Sequence, residues 1–121
     1  MSVTLVEVVF PGQTNHHGTL FGGVLLGMMD KAAFVAATRR ARRALVTVAS
    51  DRVEFHAPGR LGDIVEAHAE VVEVGRSSLK VDVTVTAEDL LSGERREVTS
   101  GRFTFVAVDA DGRPVPVEST P

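Results

Sequence analysis

The chain has 121 residues, 44% of them hydrophobic and 24% charged, with a net charge of -3, a balance that predicts one globular domain able to bury its own core. The absence of cysteine excludes disulfides, a thiolate nucleophile and a Cys-ligated zinc, and the acidic balance argues against a general affinity for nucleic acid or anionic membrane. No apolar run reaches the roughly 18 residues of a membrane-spanning helix, and Met1 to Phe10 lacks the layout of a secretory signal, so a cytoplasmic protein is expected.

Val3 to Phe10, rich in Val and closed by Pro11-Gly12, predicts a first strand. Pro11 to Leu20 is polar and rich in breakers, so it reads as a loop. Phe21 to Ala41 is the one good helix: Leu25, Met29, Ala32, Ala33 and Ala36 fall on one face, with Lys31, Thr38 and Arg42 on another. Arg39, Arg40, Arg42 and Arg43 then sit where a helix C-terminus favours cations. Contact with ligand phosphates is the other reading of that cluster.

Past the helix the period changes to two. Ala44 to His56 predicts a strand closed by Pro58-Gly59. Val65, Ala67, Ala69 and Val71 alternate with Glu66, His68 and Glu70, which predicts a half-buried strand. The alternation slips at Val71-Val72, as a β-bulge would produce. Leu79 to Val85 and Val98 to Val108 supply two more strands, the latter with Phe103 and Phe105 on one face. Residues 113–121 read as a flexible tail. The order predicts an α+β domain over residues 1–121, an antiparallel sheet packed on one helix.

Among motifs that carry chemistry, no nucleophile elbow, Walker loop or dinucleotide fingerprint is present. His16 and His17 lack a third ligand at metal spacing, so no metal is expected. The informative stretch is Thr14-Asn15-His16-His17-Gly18-Thr19-Leu20-Phe21-Gly22-Gly23, followed by Met29-Asp30. Its glycines surround a helix start, where Ser, Thr or Asp would cap better. Either a tight loop needs positive φ there, or backbone N–H groups face a ligand oxygen without side-chain obstruction. Asp30 lies in an apolar segment, but about 100° from the centre of the apolar face. Periodicity therefore leaves it open between a solvated flank residue and a functional carboxylate.

The Asn15 to Gly23 run with Met29-Asp30 resembles the signature of the hotdog acyl-CoA thioesterases, the type that includes YciA and brain acyl-CoA hydrolase. The similarity continues through Val46-Thr47, Asp51 to Pro58, Gly62-Asp63, Gly75-Arg76-Ser77-Ser78 and Phe103 to Asp109, in the family's order. Two departures, Met28 where an aromatic residue is frequent and Gly59 where a larger one is, bear on the acyl pocket. The resemblance implies a hotdog fold, a curved antiparallel sheet around one long central helix. It also implies a homodimer with shared active sites, frequently a trimer of dimers, acting on acyl-CoA without a cofactor, coenzyme A being product.

On that resemblance Asp30 is the general base toward water or the nucleophile. Asn15 hydrogen-bonds the water or carbonyl, and the Gly22 and Gly23 amides stabilise the oxyanion. Substrate contacts are implied at His16, Gly18, Thr19, Phe21, Phe55 and Pro58. The Gly75-Arg76-Ser77-Ser78 turn reads as either a phosphate contact or an ordinary hairpin. The competing readings are an aryl-CoA or acyl carrier protein thioesterase on the same fold, and a non-catalytic acyl-CoA or nucleotide sensor.

Overall fold

The helix follows from its apolar stripe and from what stops it. In this computed structural model, which describes residues 1–118, strand β1 spans Ser2–Val8 and helix α1 spans Gly22–Ala41. α1 ends where Arg42 turns into the left-handed region, φ 51°, its N–H donating to the Thr38 carbonyl, so the last turn closes on itself. Arg39 and Arg40 occupy that last turn, as the cation preference of a helix C-terminus predicts. β2 (Leu45–Phe55), β3 (Ile64–Val74), β4 (Ser78–Glu88) and β5 (Arg95–Ala107) follow, and Pro11–Gln13 forms one 3₁₀ turn.

All four strand pairings are antiparallel, in the spatial order β1-β3-β4-β5-β2. α1 touches every one of the five strands, so the sheet wraps around it. Ala32, Ala33, Ala36 and Ala37 are fully buried there. Their small side chains let the sheet approach closely, and Leu79, Val81, Val83, Val85 and Phe105 fill the opposing face. This is the hotdog arrangement that the sequence resemblance implied. Truncating Phe105, which has no exposed surface, would cost about 3–5 kcal/mol.

Four register irregularities shape the sheet. The slip read from the alternation is a bulge between Val71 and Glu73 on β3. On β2 the register shifts between Thr47 and Ala49 and again between Asp51 and Glu54, where Arg52 has φ 52°. The fourth lies where Val85 pairs Thr99 but Thr86 pairs Glu97. Val98 is thus extra, and Val98 and Thr99 are both buried. That insertion reverses the facing of β5, turning Arg96 toward the helix side while Arg95 joins Glu66 and Glu88 on the other.

Residues 113–118, where the sequence predicted a flexible tail, are tied to the sheet. The Val115 N–H donates to the Ala107 carbonyl and the Val117 N–H to that of Arg76, and Val117 is buried. Arg40 pairs with Glu118, and Arg43 donates to the Val117 carbonyl. The Arg cluster therefore anchors this returning segment. Residues 119–121 of the expected tail lie outside the described residues. No helix is long and apolar enough to cross a membrane among the described residues.

Candidate active site

Asn15 is seated by its own loop. Its backbone N–H donates to the Thr19 carbonyl, and its Oδ1 accepts from the N–H groups of His17 at 2.9 Å and Thr19 at 3.2 Å. Two backbone donors on one side-chain oxygen fix which way the amide faces, so Nδ2 is left as the outward group. Gly18 supplies the turn with φ 75°, a conformation that other residues adopt only under strain. His16 and His17 are exposed, their ring centroids 3.8 Å apart; they pack on each other. Among the described residues, no group of three or more potential ligands is placed to hold a metal ion.

The two explanations for the glycines separate here. Gly18 is the positive-φ case, but Gly22 and Gly23 are helical. A Cβ at Gly23 would meet nothing within 4 Å, and one at Gly22 only the Phe55 ring at 4.0 Å. Within the protomer nothing requires glycine at either position, although each costs roughly 0.5–1 kcal/mol relative to Ala inside a helix. No side chain caps α1 at Phe21, and the first bond of the ladder runs from Leu25 N–H to the Phe21 carbonyl. The first-turn amides of Gly22, Gly23 and Val24 therefore point outward at the positive end of the helix dipole.

Asp30 lies on the flank of α1, partly exposed. Its Oδ1 accepts a 2.9 Å hydrogen bond from Thr47 Oγ1 on β2, which fixes the carboxylate plane and leaves Oδ2 open. No spacing rule links residues 30 and 47, so Thr47, part of the family-like stretch but given no role from sequence, emerges only in the fold. Eight residues at 1.5 Å rise put Asp30 about 12 Å along the helix from Gly22. One thioester carbonyl cannot reach both within one protomer.

A cleft of about 320 Å³ opens beside the helix start, lined by Leu20, Gly22, Leu25, Phe55, Pro58 and Gly59 among others. Phe55 is 59% exposed and Phe21 48%, which presents apolar surface around it. Gly59 packs closely: a Cβ there would sit 3.4 Å from Leu20 Cβ and Cδ2. Met28 is buried in the core instead of facing this cleft. The Gly75-Arg76-Ser77-Ser78 turn lies at the other end of the molecule, where the Arg76 carbonyl meets Val117 behind the helix C-terminus. Gly75 closes the hairpin, its N–H donating to the Ser78 carbonyl at 2.8 Å, and a Cβ there would strike Ser78 Oγ. Hence the structure joins Gly22, Phe55 and Pro58 around one cleft, with Asn15, His16, Gly18 and Thr19 on the adjoining loop. It separates both groups from Asp30 and from Arg76.

β2 is an edge strand of 11 residues exposed along nearly its whole length, with Val46 at 45% and Val48 at 54% exposure. An apolar edge of this kind invites pairing. The other prominent cavity, about 250 Å³, is lined by Arg52, Asp82, Ser100 and Arg102. There Arg102 grips Asp82 at 2.6 Å and holds its carboxyl below the usual range.

A profile of the thioesterase superfamily matches residues 17–94. A Zymomonas mobilis protein described as an uncharacterized acyl-CoA thioester hydrolase is 44% identical over 91% of this chain and 74% of its own length. Acyl-CoA thioester hydrolase YciA of Escherichia coli is 33% identical, over 96% of this chain and 92% of its own. The crystal structure of an acyl-CoA hydrolase from Agrobacterium tumefaciens superimposes with a TM-score of 0.89 at 46% identity. It covers 95% of this chain, which spans only 45% of that protein. The hexameric broad-specificity acyl-coenzyme A thioesterase HI0827 gives 0.87 at 37% identity, over 95% of this chain and 80% of that one. A Staphylococcus aureus acyl-CoA hydrolase, solved with butyryl coenzyme A, coenzyme A and coenzyme A disulfide, gives 0.88 at 35%, over 95% and 70%. Variants of that enzyme replace by alanine an aspartate and an asparagine fifteen positions apart, the separation of Asn15 and Asp30 here.

Proposed function

This chain belongs to the thioesterase superfamily, and we propose that it hydrolyses acyl-coenzyme A thioesters at a site completed by two subunits, with Asp30 as the base. The observation that carries this reading is the geometry of α1. An oriented carboxylate sits at mid-helix and a set of open amides at the helix start, about 12 Å apart along the axis. Two copies related by a two-fold axis, joined along their β2 edges with their helices antiparallel, bring Asp30 of one to the helix start of the other. Such pairing also covers Val46 and Val48. The Arg76 turn lies past the helix C-terminus, about 18 Å along the axis from Asp30, a distance that an extended coenzyme A spans, so its guanidinium can meet the phosphates. The hexameric relatives support further assembly as a trimer of dimers, and the protein works in the cytoplasm.

In this arrangement Oδ2 of Asp30 takes a proton from water, and the resulting hydroxide attacks the thioester carbonyl carbon. The oxyanion forms against the Gly22 and Gly23 N–H groups, with Nδ2 of Asn15 donating to the carbonyl or to the water. The C–S bond then breaks. Coenzyme A leaves as a thiolate whose conjugate acid has a pKa of about 8.5, so one carboxylate suffices without a dedicated acid. Thr47 acts by holding Oδ1, which keeps Oδ2 aimed at the water.

Complementation between two impaired variants tests the shared site. Asn15→Ala and Asp30→Asn are each expected to lower turnover about 10²-fold alone, a residual rate that stays measurable. Co-expressed in equal amounts, half of the dimers are mixed and each mixed dimer keeps one intact site, so about a quarter of wild-type turnover should return. Activity no greater than that of the separate variants would place both residues in the same subunit's site and overturn the reading.

A further inference from the structure

Among the described residues Asp63 is the one buried charged side chain, 5% exposed, and the chemistry above makes no use of it. Burying a carboxylate is costly unless it is paired and hydrogen-bonded. Its Oδ2 accepts from the Arg60 N–H at 2.8 Å and from Arg96 Nη2. Arg96 also holds the Pro58 carbonyl, through Nη2 at 2.9 Å and Nε at 3.2 Å. One guanidinium therefore pins both ends of the segment from Pro58 to Asp63. It faces that segment only because the Val98 bulge reverses β5.

The pinned segment is laced to the loop that carries Asn15. The Leu20 N–H donates to the Gly59 carbonyl at 2.7 Å, and the Leu61 N–H to the Gly18 carbonyl at 2.8 Å. Thr19 pairs with Arg60 in an isolated bridge. Between those two anchors, Thr19 exchanges hydrogen bonds with the backbone and Oδ1 of Asn15. The same segment supplies Pro58 and Gly59 to the cleft wall.

We infer that Asp63 and Arg96 are positioning residues for the hydrolysis, a buried clamp that sets the height of the Gly18–Leu20 stretch and through it the aim of the Asn15 amide. Neither touches the reacting atoms. The clamp is a charge-assisted pair with the bidentate geometry of arginine, which lysine cannot reproduce across two acceptors. This inference rests on the catalytic role of Asn15, and the experiment separates the failure of one from the failure of the other.

The experiment is a double-mutant cycle on the full-length protein with butyryl-CoA as probe, read as kcat and KM separately. Asn15→Ala alone reports on the catalytic role of that residue. Arg96→Gln is expected to lower kcat about 10-fold in the wild-type background, with KM changed less than about 3-fold. In the Asn15→Ala background the same substitution should lower kcat less than about 2-fold, because the group it aims is already gone. Equal losses in both backgrounds would make the clamp a structural strut and overturn the inference. So would unchanged kcat in a folded Arg96→Gln protein. Should Arg96→Gln not fold, Arg96→Lys replaces it in the same cycle, its charge keeping Asp63 paired. A kcat loss confined to the Asn15 background then supports the clamp, and equal losses or none overturn it.

Discussion

Gly23→Ala sets stability against catalysis in one substitution. The residue is helical, and an added Cβ meets no atom within 4 Å, so the change removes backbone entropy from the unfolded chain without steric penalty. The gain should approach 0.5–1 kcal/mol, or roughly 2–5 °C in Tm for a domain of this length. Catalysis should move the other way. A helical Cβ tilts toward the N-terminus, the direction in which the first-turn amides point, so the new methyl occupies the space where an oxyanion would sit. Displacing one such donor costs on the order of 10²–10³ in turnover. Tm, sedimentation to confirm the dimer, and thiol release from butyryl-CoA measure the three quantities. A stabilised, dimeric Gly23→Ala protein with unchanged kcat/KM would show that the helix start does not receive the carbonyl. Loss of the dimer would assign the glycine to the subunit contact instead.

Asp30→Asn should lower kcat by about 10² or more while Tm stays within a few degrees, since it is partly exposed and Asn still accepts from Thr47. Thr47→Val should cost about 10-fold in kcat with little change in KM, because it frees the carboxylate without removing it; an unchanged kcat would deny Thr47 its orienting role. Arg76→Ala should raise KM for acyl-CoA several-fold and leave KM for a pantetheine thioester lacking the nucleotide phosphates unchanged; equal effects on both would remove Arg76 from phosphate binding. Arg102 lowers the pKa of Asp82 mainly through their hydrogen bond, so the pair's contribution is present at neutral pH and is lost as pH falls below the ordinary value of 3.8. Asp82 is half-exposed and its charge is screened by solvent, so Asp82→Asn should shift Tm only slightly at pH 7 and less in 1 M salt. A shift that grows with acid would contradict that sign.

The order of elements, the helix face and the β3 bulge were legible because each is written in local periodicity: Leu25, Met29 and the alanines recur at helical spacing, and Val71-Val72 breaks an alternation of two. Asn15 and Asp30 were legible only through the family-like run of residues around them, since the wheel left Asp30 on a flank and the composition of the loop left Asn15 unremarkable. The tertiary structure decided the rest. Thr47 reaches Asp30 from a strand 17 residues away, and Arg96 reaches Asp63 only after a bulge at Val98 reverses the strand, contacts that no local pattern encodes. It also separated glycines that look alike in sequence. Gly18 answers to a backbone angle inside the chain, whereas Gly22 and Gly23 answer to nothing within it. Periodicity records which side of an element faces the core, but the meeting of distant side chains depends on how the sheet closes around the helix.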